Sequence, residues 1–454
     1  MIENILGAAS GLLFPAVLGY SLILLIFKGP LFNSLLTLAL GFGLGLGIIT
    51  QWMLFLLVIH FPLTFWNIYI PLSLILAVLY LFSRHWKQPA TLSWKHSEEA
   101  RNTFLQNLIF LYSAVFVSYQ LYFIFYNTLL LPVYTWDGIL AIVCKSKYLY
   151  YNGQLPGLKL FTGTSYPLHV ELSLTWMAIT HRAWDDQMIK IIFPVMFVCY
   201  LVIHIYFLKY FTNRQWAAVG AALLCSACFL DFHATIEYRA IFLLYYNIVP
   251  VLLLIFWHKQ RHDGFLLLAG LLAGFSTFTK LEATGHSLIY IILLWILLNN
   301  LKLPLREKFQ KFIRFFLPML LIYLFFVTIK RTLHFSFMEG REALLIPVNY
   351  FDRLRQMIKG FAYNFYFSTN WNILWFILTV SFIKNGHRIK DCFTTLILTV
   401  TLGMYIVLYI GVGLLTQAYA QLFCLENLSR AILHFFPLVP LLIVLTNFDG
   451  SKTK

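Results

Sequence analysis

Four short clusters hold most of the residues in this chain that could do chemistry. The first is Tyr134-Thr-Trp136-Asp137-Gly, followed by Lys145-Ser-Lys147 and then Tyr166-Pro-Leu-His169-Val-Glu171. The second is Asp231-Phe-His233-Ala-Thr-Ile-Glu237-Tyr-Arg239. The third is Thr279-Lys280-Leu-Glu282, and the fourth is Ser429-Arg430 with His434 and Pro437. A carboxylate just beyond a long apolar run, backed by a tryptophan, is placed to take a proton from a hydroxyl at a membrane surface. Asp137 is therefore the candidate general base. Each cluster also has a structural reading: Asp137 caps a helix, Lys280 and Glu282 form an interfacial ion pair, and Arg430 anchors the end of a span. All four sit at the ends of apolar runs, where ionisable groups are expensive to bury and are normally tied to function.

The elements that must position these residues are legible from composition. Of 454 residues, 60% are hydrophobic and only 11% charged, too few to cover the surface of a soluble chain this long. A mean hydropathy of +0.78, with 44 Phe, 26 Tyr and 12 Trp, suits lipid-facing and interfacial positions. A soluble enzyme, a disordered chain and a disulfide-rich secreted domain are excluded. The net charge of +15 does not point to nucleic acid, because the basic residues gather in short loops between apolar runs. A helix needs about 20 apolar residues to cross a bilayer. Thirteen runs approach that, near 5–27, 35–59, 65–82, 103–131, 188–211, 216–230, 241–257, 265–279, 284–299, 315–329, 371–384, 392–411 and 431–447. Lipid forbids open sheet edges, so the expected fold is an all-α polytopic membrane protein of about 13 transmembrane helices.

Sidedness follows from the loops. Short loops on one side carry 19 Lys and Arg against three on the other, which makes the basic side cytoplasmic. An odd number of spans then puts the N-terminus outside and the C-terminus inside. Two long segments, 132–187 and 330–370, face outward, and 12 of the 18 acidic residues fall on that side. Residues 139–151 and 166–181 are expected as interfacial helices. So is 349–361, which puts Tyr350, Phe351, Leu354, Met357, Ile358 and Phe361 on one face and Arg353, Gln356 and Lys359 opposite. That helix either seals the bundle or forms a basic ledge for an anionic lipid headgroup. The chain divides into 1–102, a three-span extension with a cytoplasmic loop; 103–299, the core with its long outer loop; and 300–454, the remaining spans.

Familiar soluble motifs are absent. The run Gly41-Phe-Gly-Leu-Gly-Leu-Gly47 lacks dinucleotide-binding spacing, and its Gly41/Gly45 and Gly43/Gly47 pairs suit close helix packing. Cys225 and Cys228 fall within an apolar run and read as small packing residues rather than a metal or redox pair. Cys144 and Cys424 could meet on the outer side.

In their order and sidedness the clusters resemble the GT-C superfamily of membrane glycosyltransferases, specifically the protein O-mannosyltransferase-like branch and its bacterial Rgt-like relatives. The resemblance rests on Trp136-Asp137-Gly after a long span, the Lys209–Arg214 turn, segment 231–240, Gly270-Leu-Leu-Ala-Gly274 leading to Thr279-Lys280-x-Glu282, and Ser429-Arg430-x-x-x-His434-x-x-Pro437. It covers about 103–447. It implies a GT-C-like fold in the cell membrane and an inverting transfer of sugar from a polyprenyl-phosphate donor to a hydroxyl of a glycan, lipid or protein acceptor at the outer face. Asp137 would be the base. Lys280, Arg430, Arg239, Arg353 and Arg355 would hold the donor phosphate, and Trp136, Tyr166, His169, Glu171, Glu237, Glu282 and His434 would contact substrate. Some relatives use a divalent metal, but no carboxylate-rich set stands out here and no cofactor is expected. Relatives carry Tyr-Ala-Asp where this chain has Tyr238-Arg239-Ala240. Glu237 or Asp231 then takes that role, or Arg239 meets phosphate directly, or the chain is an inactive homologue. A glycan polymerase or ligase and a lipid or solute transporter are the rival classes. The transporter would need midplane charges and repeated halves, neither of which is visible.

Overall fold

The computed structural model describes residues 2–29, 33–83, 103–161, 166–332, 349–416 and 425–448. Most of the expected loop 83–102, the middle of the segment 330–370 and Cys424 lie outside the described residues. Among the described residues the chain folds into 18 α-helices. They begin with α1 (Ile2–Phe27), α2 (Ser34–Val58), α3 (Phe65–Ser83) and α4 (Phe104–Leu130), followed by two shorter helices, α5 (Cys144–Asn152) and α6 (His169–His181). The middle of the chain forms α7 (Ile192–Phe211), α8 (Arg214–Cys225), α9 (Cys228–Thr235), α10 (Arg239–Gln260), α11 (Gly264–Thr279), α12 (Ala283–Asn300) and α13 (Leu305–Thr332). The last five are α14 (Tyr350–Tyr366), α15 (Leu374–Asp391), α16 (Phe393–Leu415), α17 (Leu425–Leu433) and α18 (Leu438–Asn447).

This is an all-α, multi-pass membrane protein. Eight of the helices are long and apolar enough to cross a bilayer, and ten spans result if each of two bent pairs counts once. Each of the thirteen apolar runs coincides with a helix or a bent pair, but among the described residues eight to ten, not thirteen, meet the length and apolarity of a span. The apolar parts of α3 and α11, Phe65–Leu81 and Gly264–Thr279, fall short of membrane length, and α15 ends in a polar stretch. The runs 216–230 and 431–447 are not straight spans, because α8 and α9 meet at 72° and α17 and α18 at 58°. At the second bend Pro437, which lacks an N–H and so cannot extend the hydrogen-bond ladder of the preceding helix, stands at the start of α18. At the first, the carbonyl of Ser226 left over by the break accepts a hydrogen bond from Asn372.

Helix starts follow capping chemistry. Thr103 and Gln106 form a reciprocal capping box at α4, and the Asn33, Asn213 and Asn349 side chains cap α2, α8 and α14. The core is built on α10, whose residues Arg239 to His258 are all buried. Both glycine pairs of α2 are used, on different faces. A Cβ on Gly45 would lie 1.9 Å from the Pro15 carbonyl oxygen of α1, and one on Gly41 2.6 Å from the Tyr20 nitrogen. On the other face Gly43 and Gly47 admit the rings of Tyr245 and Phe275. Tyr245 and Tyr246 also donate to the Ala39 and Gly43 carbonyls at 2.8 and 2.7 Å.

The bundle has two distinct ends. At one, the basic turns touch each other: Lys311 and Arg314 pair with Asp263, Phe27 stacks on His262, and Gln260 donates to Tyr210. The other end carries Asp137, Arg239, Lys280 and Arg430. The expectation of an interfacial helix at 166–181 is corrected, because all of α6 is buried in protein. Its Trp176 donates to the Gly11 carbonyl and its His169 packs among aromatic rings, so contacts with α1 and α10 override its amphipathic appearance. The amphipathic face of α14 is divided. Met357 and Phe361 are buried, while Tyr350, Phe351 and Ile358 are exposed.

Candidate functional site

A short π-helix, Gly138–Val143, starts immediately after Asp137. Such wide turns break the regular register and recur at functional sites. The segment bearing Asp137 is pinned from below. Lys190 donates to the Leu131 and Pro132 carbonyls at 2.6 and 3.1 Å and pairs with Glu237 at 3.2 Å. Thr135 donates to Glu237 at 3.1 Å. Gly138 is required by this arrangement, since a Cβ there would lie 2.2 Å from the Thr135 hydroxyl and 2.7 Å from Glu237. Lys190 and Glu237 are both fully buried, so removing either would strand a charge in a low-dielectric interior.

Above this floor lies a cavity of about 490 Å³. Five of the cationic and acidic groups singled out from sequence line it: Asp137, Arg239, Lys280, Glu282 and Arg430. Tyr166 and His434 line it too. Asp137 makes no helix-capping hydrogen bond. Instead its carboxylate accepts from Arg430 at 2.8 Å, across a sequence separation of 293 residues. Arg430 also pairs with Glu426 and lies 4.6 Å from the ring centre of Tyr238, so it is an inward-facing group and not a snorkelling anchor. Lys280 and Glu282 do form an ion pair, at 3.2 Å, as their structural reading expects, but on the cavity wall. Arg239 pairs with buried Glu171, which also lies 3.7 Å from Lys145, and it stacks 4.7 Å from the ring centre of Tyr166.

The other residues picked from sequence stand away from the cavity. Glu171 and Glu237 are buried in the ion pairs beneath it. His169 is buried and hydrogen-bonded to Thr279 at 2.8 Å, and burial pushes its pKa down to about 3, so it is neutral. Trp136 is 76% exposed and does not line the cavity. Arg353 reaches the rim by donating to the Thr416 carbonyl at 3.3 Å, whereas Arg355 is exposed and does not line the cavity. Asp231 lines a separate groove. Among the described residues no three His, Cys, Asp or Glu side chains converge as a metal ion would require.

Sequence reasoning missed part of the wall. Tyr409 lies between two imidazoles, 3.0 Å from His286 and 2.7 Å from His434. Tyr238 holds its ring against Arg430, and its hydroxyl pKa is raised, chiefly by burial. His286 carried a signal, since an imidazole inside an apolar run is unusual. Tyr409 carried none among 26 tyrosines.

The site therefore offers three cations and two carboxylates facing one space, together with an apolar wall that includes Leu281, Leu408 and Val412. It can hold an anion, accept a proton from a neighbouring hydroxyl, and admit hydrocarbon beside both. In comparison with known proteins, no family model, no curated protein and no solved structure matches the chain.

Proposed function

We propose that this protein is an integral membrane glycosyltransferase of the cell membrane, inverting, that moves a sugar from a polyprenyl-phosphate donor to an acceptor hydroxyl. In this reading the cavity faces outward, with the N-terminus outside and the C-terminus cytoplasmic. The observation that carries the reading is the meeting of Asp137 with Arg430, Lys280 and Arg239 on one cavity with an apolar wall. The acceptor oxygen attacks the anomeric carbon while Asp137 takes its proton. The bond from that carbon to the phosphate oxygen breaks, and the charge left on the phosphate is met by Arg430 and Lys280. In this reading Asp137 is the base of one displacement, hence inversion, while Glu282, the second carboxylate on the wall, is held by Lys280. The Asp137–Arg430 pair suits this order of events. An arriving phosphate competes for Arg430 and frees the carboxylate to act as a base.

Asp137→Asn tests the reading. It keeps shape and polarity but removes the basic oxygen, so donor binding should survive while transfer falls by about 10²–10⁴-fold. Lys280→Ala and Arg430→Ala should each weaken donor use about ten- to a hundredfold, the worth of a hydrogen bond to a charged group. Near-normal turnover of Asp137→Asn sinks the assignment. A membrane glycan ligase or polymerase is the second reading, favoured by the His286–Tyr409–His434 arrangement on the same wall. It predicts that His434→Gln abolishes transfer while Asp137→Asn does not.

A further inference from the structure

Beside the cavity, and outside the chemistry assigned to it, a groove of about 520 Å³ opens between α4 and α9. Tyr134, three positions before Asp137, lines it, so groove and cavity lie at the same end of the bundle. Its α4 wall belongs to a face that presents Tyr112, Val115, Tyr122 and Tyr126 outward, the surface a lipid-facing helix shows. Apolar residues alone would suffice against acyl chains, yet the groove carries Gln120, Asn127, Thr235 and Asp231. Asp231 is only 6% exposed, and its Oδ1 has no hydrogen-bond partner among the described residues. A carboxylate oxygen buried without a donor is costly, and hydrocarbon supplies none.

We propose that this groove binds the uncharged, polyhydroxylated headgroup of a membrane glycolipid. Its volume lies within the roughly 300–1,000 Å³ of sites that take small molecules. None of the residues lining it is Lys or Arg, so it is not built for a phosphate headgroup. One carboxylate surrounded by neutral amide and hydroxyl groups matches several hydroxyls at once, whereas an ammonium headgroup would satisfy Asp231 alone. The exposed rings of Tyr119 and Phe232 flank the opening and offer flat apolar faces to the C–H side of a sugar. The acyl chains remain in the bilayer against α4. Occupancy of this groove is independent of what the neighbouring cavity catalyses, because it concerns binding alone.

Photolabelling tests the proposal. The full-length protein is purified without sugar-based detergents and placed in phosphatidylcholine nanodiscs. The discs carry a few per cent of a diazirine-bearing monoglycosyl diacylglycerol, or in a second arm a phosphatidylethanolamine carrying the same diazirine. The glycolipid probe should label peptides spanning 119–134 or 228–235, and unlabelled glycolipid should compete. Asp231→Leu removes the orphaned carboxyl while keeping its branched shape, with an unchanged melting temperature as the check on folding; Thr235→Trp fills the groove. Each should cut that labelling about tenfold or more, as expected when hydrogen bonds to a buried acid or the space itself are lost, with labelling elsewhere unchanged. Equal labelling by the phosphatidylethanolamine probe, labelling indifferent to both substitutions, or no labelling of these peptides overturns the proposal.

Discussion

Lys190 and Glu237 set the terms at the residue scale. Glu237 belongs to the second acidic cluster and reads from sequence as a substrate contact, but the fold uses it to brace the segment that presents Asp137. Lys190 lies at the edge of an apolar run and gives no hint in sequence that it will clasp two carbonyls and a carboxylate. Removing one partner of a buried ion pair costs about 3–5 kcal/mol, whereas replacing both with apolar groups of similar size is often close to neutral. Lys190→Met should therefore lower thermal stability strongly in detergent, and the double variant Lys190→Met/Glu237→Leu should recover much of it. If the single and double variants melt alike, the pair is not the brace proposed. Arg239 stands where a carboxylate would be expected from the resemblance, and its pairing with Glu171 supplies a physical reason for the cation to be held at the cavity wall.

Among elements, the contact between α1 and α2 is the most exacting. Gly19 faces Gly41 so closely that a Cβ would meet the Gly41 carbonyl oxygen at 1.8 Å, and Gly45 stands against Pro15 in the same way. Helix backbones this close gain from dispersion, which drives helix association where the surrounding lipid is as apolar as the side chains. Gly45→Leu should destabilise by about 1–3 kcal/mol or more through overpacking, seen as a lower melting temperature and poorer recovery of folded protein. Gly403 of α16 has no heavy atom near enough to oppose a methyl group, and Gly403→Ala should be neutral or stabilise by up to about 1 kcal/mol. Equal losses at both glycines would show that helix flexibility, not backbone approach, is at stake. These contacts also tie α1 and α2 into the bundle, against α6 and α10.

For the whole molecule, sidedness is the property that gives the site its access. The basic turns gather at one end and the cavity lies at the other, which is the separation that loop charges lead one to expect. If the cavity end is outside, a cysteine replacing Leu160, 87% exposed near the Asp137 end, should react in intact cells with an impermeant maleimide. A cysteine replacing Leu305, 78% exposed at the start of α13, should react only after permeabilisation. Both belong in a background without the six native cysteines. The reverse pattern inverts the topology and moves the cavity to the cytoplasm.

Composition and periodicity alone determined the class, the helix positions, the glycine contacts of α2 and the separation of charge between two ends. These depend on local free energies: about 20 apolar residues span a bilayer, and ionisable groups are pushed to its edges. Span number was not legible, since a run of apolar residues does not reveal the bends at Ser226 and Pro437 that divide two of them. Nor could local sequence separate the groups on the cavity from those beneath it. Asp137 and Arg430 meet across 293 residues, and Glu171 and Arg239 across 68. Which of several carboxylates receives a given cation is decided by where whole helices pack. An ion pair in a dry interior is worth keeping only when both partners arrive together, and only the assembled bundle brings them there.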